Sequence, residues 1–539
     1  MQGLNLTLVD QSLNYLGDEF NVTLLLSILI LLLFVVMKLH RKHFVSASIK
    51  NENELFASCE SKDPYNTYKS LPGPTPFPLR LIGNSLSFFS NINIPQKLFQ
   101  FAKKYGPYYR LTFLNEDYVV LNTPSAAEAL LGSTNVKHFH RSRLQETLWP
   151  TELEQSIIIL PGGEEWKKKR KMLSRAFMTL ALQRHNSCWH KQCERMVEKL
   201  EERFQDEGKK DNIVADILKQ CTFAMSSETL MGVDITQEAE DGALFCESLD
   251  EFNRILFGRI FRPWLLVDWI WRRSSEYRKA RAVVDGMEKV THLVIEKYKE
   301  KFLLESVEER NANDELKHTM IETMMRNGID EKAIFDETIT LLAVATDATS
   351  LAEHYALFLL ALNPEHQELC RQEIDKVFED PKNVKNGILE FEALKALNYL
   401  ERCILESLRI YPLTIILRRL EAPLKIDENL VIPKDVSVIV TPYVLHNLPE
   451  CYPNPENFDP DRFLPENVKE RHPYAYLSFS AGPRNCMGIK FGMIEVKVVL
   501  ATILRNFVVS TPDTMDDVKL VVDGAVNPAA PMRFNLSKR

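Results

Sequence analysis

The chain has 539 residues, 45% of them hydrophobic, and a formal net charge of -8. That acidic balance leaves no basic face of the kind that grips phosphate, so nucleic acid is not an expected partner. Its nine cysteines are odd in number, scattered and without a C-x-x-C pair, which argues against a disulfide framework or zinc site and for a reducing compartment.

The first predicted element is a membrane anchor. Residues 1–21 carry Asp10, Asp18 and Glu19 but no Lys or Arg, Val22 to Met37 is apolar apart from Thr23 and Ser27, and Lys38, His40, Arg41, Lys42 and His43 follow. With Phe20 and Leu39 the run approaches the ~17–25 residues that span a bilayer. A cleaved signal peptide would carry its positive charges ahead of the apolar run. The asymmetry predicts a short lumenal segment at 1–21, a single span at 22–37 and the remainder on the cytosolic side. Two sequons, Asn5-Leu6-Thr7 and Asn21-Val22-Thr23, fall on the lumenal side, the second crowded by the apolar run.

Residues 38–78 read as a basic stop and a proline-rich linker. Pro72, Pro74, Pro76 and Pro78 fix φ and remove amide donors, which predicts a stiff, extended spacer between membrane and body. At about 150 residues per domain the remaining length would suggest two or three domains. No Gly-rich or Ser-rich tract and no fixed repeat follows residue 79, so one large domain is expected over 79–539. Strand signals occur at Tyr108 to Leu114, Tyr118 to Leu121 and Leu430 to Val440, and helical periodicity fills most of 165–410. The expected class is mainly α with small β-sheets.

The most informative stretch is Phe479-Ser480-Ala481-Gly482-Pro483-Arg484-Asn485-Cys486-Met487-Gly488, followed by a helix-like run from Ile489 to Leu500. A thiolate that donates to iron must be kept from protons and oxidants, which takes backbone donors, an apolar shield and a positive dipole. A cysteine just ahead of a helix start receives the free amides and the dipole together. Gly482 and Gly488 would let the backbone pass close to a flat macrocycle, Phe479 would pack under the sulfur, and Arg484 would pair with a propionate. This segment resembles the haem-thiolate signature Phe-x-x-Gly-x-Arg-x-Cys-x-Gly of the cytochrome P450 superfamily, with every fixed position met. Lys490 and Phe491 extend the likeness to the microsomal animal clan that includes the fatty-acid omega-hydroxylases. The resemblance implies a cytochrome P450 fold behind one N-terminal transmembrane helix, and haem b with Cys486 as its axial metal ligand.

Other segments resemble the family in the expected order. Trp166 and Arg170 match a W-x-x-x-R helix whose arginine reaches a haem propionate. Arg419 falls where similar chains have a second propionate arginine. Glu406 and Arg409, at i and i+3 among Leu400, Ile404 and Leu408, look with Arg462 like a structural Glu-Arg-Arg triad, although an isolated E-x-x-R is usually a solvated ion pair. The run from Lys167 to Lys171 reads either as a solvated face or as a docking patch for an acidic electron donor.

Val344-Ala345-Thr346-Asp347-Ala348-Thr349-Ser350 corresponds to the helix that crosses the haem opposite the thiolate in that family. Asp347 and Thr349 are the candidate catalytic residues, and Ala345, Ala348 and Ala352 form a small-residue stripe against the cofactor. Ala345 replaces a glycine. Ala348 replaces the threonine whose hydroxyl relays protons toward dioxygen, and Thr349 points about 100° away from that position. Val344 stands where omega-hydroxylases often carry a glutamate esterified to the haem, so no covalent attachment is expected.

The implied activity is insertion of one oxygen atom from O2 into a lipophilic small molecule: a fatty acid, steroid, hormone or xenobiotic. Electrons would come from NADPH through NADPH-cytochrome P450 reductase, with cytochrome b5 as a further candidate donor, at the endoplasmic reticulum membrane. Two alternatives stay open. One is a haem-thiolate isomerase or dehydratase, which needs neither reductase nor a threonine at 348; the other is a non-catalytic haem-binding protein.

Overall fold

The computed structural model describes residues 68–76, 83–88, 92–113, 116–138, 140–148, 153, 155–178, 182–204, 213–235, 239–304 and 319–539. The expected lumenal segment, the span at 22–37 and most of the linker lie outside them. Among the described residues no helix is long and apolar enough to cross a membrane.

Helices dominate, as the periodicity predicts. They include α1 (Ile94–Tyr105), α2 (Glu164–Leu173), α3 (Asn186–Phe204), α4 (Ile213–Ser226), α5 (Ala239–Gly258), α6 (Ser275–Leu304), α7 (Glu331–Leu362), α8 (Pro364–Glu379), α9 (Asn398–Ile410) and α10 (Ile489–Asn506). Helix α7 starts where the Asp330 carboxylate accepts from the Ala333 amide, an N-cap that satisfies one orphan donor. It stops at Asn363 because Pro364 cannot continue the ladder and instead opens α8. From Thr349 to Leu360 every residue of α7 is buried, the mark of a helix that runs through a core rather than over it. Leu357, Leu359 and Leu360 are buried there, each contributing ~1.5–3 kcal/mol before side-chain entropy is subtracted.

A sheet of four strands closes one side. Strands β1 (Tyr108–Phe113) and β2 (Glu116–Leu121) form a hairpin, β3 is Ile416–Arg419 and β4 is Ser437–Val440, in spatial order β1-β2-β4-β3. β4 runs parallel to β2, with Val119 opposite Val438, and antiparallel to β3, with Arg418 opposite Val438. Val119, Leu121, Val438 and Val440 feed one apolar cluster while Tyr118, Val120 and Ile439 feed another. The central strands are therefore buried on both faces, so the strand signal at Leu430 to Val440 has no solvent side at Ser437–Val440. A smaller hairpin, β5 (Leu520–Asp523) with β6 (Ala525–Pro528), projects toward α7.

Residues 71–76 of the proline segment are hydrogen-bonded to the body. The Pro72 carbonyl accepts from the Arg110 amide at 2.9 Å, the Pro74 carbonyl accepts from Asn84 Nδ2 at 2.9 Å, and a Cβ at Gly73 would sit 2.2 Å from the Arg110 carbonyl oxygen. Prolines that lack donors still offer acceptors, and here those acceptors fix residues 71–76 along β1. The described residues from Tyr68 to Arg539 belong to one compact unit.

Candidate active site: a cysteine at the floor of an apolar cavity

The cysteine loop is held from behind by α9. Glu406 and Arg409 are both 0% exposed and joined by two hydrogen bonds, Arg409 Nε to Glu406 Oε2 at 2.7 Å and Nη2 to Oε1 at 2.8 Å. The remaining guanidinium donors reach the carbonyls of His446 at 3.0 Å and Pro455 at 2.8 Å. Glu406 Oε1 accepts from the Asp459 amide at 3.0 Å and lies 3.3 Å from Arg462 Nε. Burial pushes the Glu406 carboxyl up against the pull of the two arginines. Downstream, Ser478 Oγ donates to the Leu408 carbonyl at 2.8 Å and the Leu477 amide to His446 Nε2 at 2.9 Å. The triad thus fixes residues 446–462 and, through His446 and α9, the chain that enters the loop.

Within the loop, Ser480 and Gly482 adopt φ of 58° and 70°. At Gly482 a Cβ would sit 1.7 Å from the Leu131 carbonyl oxygen, so backbone packing alone requires glycine there. Gly488 does face the cavity: its Cβ would meet only Phe177 at 3.7 Å and Cys486 Sγ at 3.9 Å. The Cys486 amide donates to the Phe479 carbonyl at 3.0 Å. Burial raises the Cys486 thiol, while the Gly488 amide and Arg170 oppose the shift by favouring the anion.

The sulfur opens into a cavity of about 680 Å³ whose walls are mostly apolar, with Leu148, Phe252, Phe261, Leu341 and Ile439 among them. Helix α7 forms the opposite wall with Val344, Ala345, Asp347, Ala348, Thr349 and Ala352. The predicted alanine stripe and both candidate catalytic residues are therefore brought to the cysteine's cavity. Asp347 is clamped by Lys219 Nζ from α4 at 2.9 Å and by Asn253 Nδ2 from α5 at 3.3 Å. Burial alone would pull Lys219 down, but Asp347 and Asp250 together raise it. That clamp has no signature in the sequence, because its three members come from three helices.

A cluster of guanidinium groups closes one end. Arg141, Arg170, Arg418 and Arg484 line the cavity; Arg419 does not. Arg418 and Arg419 are neighbours on β3, so their side chains leave on opposite faces. Arg419, the arginine expected from the sequence, turns out to Glu146 at 3.0 Å and Glu421 at 3.7 Å, and it is Arg418 that lines the cavity. Arg141 was not foreseen, since nothing local separates it from Arg143. Burial pulls Arg418 down to about 10; burial with mutual repulsion pulls Arg141 and Arg484 down to about 9. Arg484 stacks over Trp166 at 4.6 Å and donates to the Leu160 carbonyl at 2.6 Å, while Arg170 donates to the Asn485 carbonyl at 2.9 Å. Among the described residues the Nε of Arg141 and of Arg484 meets no acceptor.

Comparison with known proteins agrees with this arrangement. The family model of cytochrome P450 matches residues 71–536. The chain is a cytochrome P450. Cytochrome P450 4g1 of Drosophila melanogaster is 28% identical over 511 residues, covering 88% of this chain and 90% of that one. Human cytochrome P450 4V2 is 28% identical over 472 residues, covering 82% and 85%. Probable cytochrome P450 4aa1 of Drosophila melanogaster reaches 30% over 416 residues, covering 75% and 77%. The protein is a P450 monooxygenase of the CYP4 type.

A haem-thiolate cofactor fits the residues present. Cys486 is the exposed cysteine among those described, and its exposed surface faces the cavity. Repelling guanidinium groups with unpartnered Nε atoms at one end call for a dianionic ligand edge. Alanines at 345, 348 and 352 leave room for a flat macrocycle under α7.

Proposed function

We propose that this P450 binds haem b through Cys486, holds its propionates with Arg141, Arg170, Arg418 and Arg484, and inserts one oxygen atom from O2 into a lipophilic molecule. The observation that carries the reading is the cysteine thiol at the floor of a large, mostly apolar cavity with arginines gathered at one end. The bound haem supplies the electron-transfer and dioxygen chemistry, with thiolate donation favouring cleavage of the oxygen–oxygen bond. The protein's part is to keep Cys486 anionic through the Gly488 amide and Arg170, exclude water with the apolar walls, and deliver protons from the Asp347 side of α7.

Electrons are proposed to come from NADPH through NADPH-cytochrome P450 reductase, with cytochrome b5 as a second donor. The basic run supports this in part. Lys168 and Lys171 are exposed, whereas Lys169 turns inward to the buried Glu337 at 2.7 Å and Lys167 pairs with Glu164 at 2.8 Å. The docking patch is narrower than the sequence suggested. The apolar run at 22–37 and the basic residues after it support placement at the endoplasmic reticulum membrane with the body on the cytosolic side.

Measuring NADPH consumption with reductase across a lipid panel, with product and peroxide both quantified, tests the reading. Product formed from an existing peroxide without NADPH would favour the isomerase alternative, which Ala348 supports. Ala348→Thr places a hydroxyl in the α7 wall and is expected to lower peroxide leakage with surrogate substrates by roughly a factor of two or more, a small part of the ~10²–10⁴-fold that a positioned proton donor contributes. Equal coupling in both proteins across several substrates would mean another relay already serves.

The arginine assignment carries its own expected result. Arg418→Gln should speed haem loss to a scavenging apoprotein by about ten-fold, the scale of one charge-assisted hydrogen bond, whereas Arg419→Gln should leave the rate unchanged. The reverse order would return the propionate contact to Arg419.

A further inference from the structure

Behind the cavity wall two carboxyl side chains lie buried without a counter-charge. Glu353 on α7 and Glu495 on α10 are each 0% exposed. Thr222 Oγ1 on α4 donates to Glu353 Oε2 at 3.1 Å, Glu353 Oε1 meets no hydrogen-bond partner among the described residues, and the Trp189 indole is the polar group that faces the Glu495 carboxyl. The groups that face the pair are Cys188, Trp189 and Cys193 of α3 and Thr222 and Cys221 of α4. None of these is a cation. Burial, reinforced at Glu495 by Glu353, drives both carboxyls well above the ordinary carboxylate range. A core built only for stability would hold leucine or isoleucine here, at no desolvation cost.

Their position ties them to the cavity. Glu353 follows Thr349 by four residues on α7, and Glu495 follows Gly492 by three on α10, so each lies one turn deeper on the same helix face. Thr349 and Gly492 both line the cavity, and a Cβ at Gly492 would be 3.7 Å from Thr349 Oγ1. On the outer side, the Cys188 thiol neighbours both Glu495 and Glu228. Glu228 pairs with Lys191 at 2.7 Å, its side chain 22% exposed. Protonatable groups therefore run from the surface at Glu228 through Cys188, Glu495 and Glu353 to Thr349.

We infer that Glu353 and Glu495 form a proton store that supplies the cavity through Thr349, doing from the core side what a hydroxyl at position 348 would do from within. This rests on the monooxygenase reading above. In the step, the O–H bond of Glu353 breaks as one forms at Thr349 Oγ1, and the threonine's own proton passes to the oxygen being reduced. Glu495 returns a proton to Glu353, and solvent at Glu228 returns one to Glu495 by way of Cys188. No electron moves along this path. Asp347 lies on a different face of α7 and serves a separate route through Lys219.

The test has two arms, both on the haem-loaded full chain. Infrared spectra in H2O and D2O should contain deuterium-sensitive carbonyl bands of buried protonated carboxyls, one lost in Glu353→Gln and one in Glu495→Gln. In turnover with reductase and NADPH, Glu353→Gln should lower product per NADPH several-fold, raise peroxide and enlarge the solvent isotope effect. Its reduced-CO absorption and substrate-binding spectrum should stay unchanged, and Glu353→Asp should restore part of the coupling. Ionised carboxyls in the parent protein would overturn the store. Parent-like coupling in Glu353→Gln, with collapse in Asp347→Asn, would overturn the route and leave Asp347 as the sole supply. A parent protein that makes no product would sink the monooxygenase reading, and the infrared bands would then report protons held with no reaction to serve.

Discussion

Cys486→Ser is expected to abolish monooxygenase turnover and the red-shifted, thiolate-type absorption of the reduced CO complex. Among the described residues the other cysteines cannot substitute: Cys188, Cys193, Cys221, Cys246, Cys370 and Cys403 are buried in the body. Cys451 is partly exposed but belongs to the segment behind the triad and is absent from the cavity lining. Serine nearly matches the volume of cysteine and keeps the amide that donates to the Phe479 carbonyl at 3.0 Å. The loop should therefore fold, and circular dichroism and the melting transition should stay close to those of the parent. What is lost is the soft, readily ionised ligand, since an alcohol stays protonated where a thiol ionises and donates far less electron density to iron. A surviving thiolate-type band in a folded Cys486→Ser protein would move the ligand to a different cysteine.

The parts of the site that the sequence made legible are those where chemistry is local. The loop around Cys486 carries its amides, its φ > 0 positions and its following helix within ten consecutive residues, and an E-x-x-R pair brings Glu406 and Arg409 together within one turn. Long helices and short strands were legible for the same reason, because periodicity is a local pattern. Contacts made across elements were not. Adjacent arginines on β3 gave no way to choose which face looked inward, and only the sheet order and the cavity select Arg418. The contact of Gly482 with the Leu131 carbonyl had no signature either, since Leu131 lies far away in sequence. Nothing in the sequence separates Glu353 and Glu495 from other helical carboxylates, and only the packing of α7 against α10 buries both.

Arg409→Met should destabilise the fold by ~3–5 kcal/mol, the usual result of stripping one partner from a buried ion pair, and should yield protein largely free of haem. Two costs combine. The Glu406 carboxylate, 0% exposed, would keep only Arg462 at 3.3 Å and the Asp459 amide at 3.0 Å. The carbonyls of His446 and Pro455 would lose their charged donor, each an unsatisfied buried acceptor worth about 1–3 kcal/mol. Arg409→Lys keeps the charge but not the fork, so it should recover only part of this loss. The decisive comparison is the double substitution Glu406→Leu with Arg409→Met. An ion pair that served only itself could be replaced by apolar side chains at little cost. Here the guanidinium also holds the carbonyls of the segment that leads to the cysteine loop, so the double variant should stay destabilised and haem-poor in chemical denaturation and in haem-to-protein ratio. Recovery of parent-like stability and haem content in the double variant would mean that Glu406 and Arg409 merely fill space, and that the cysteine loop is held by Ser478 and His446 alone.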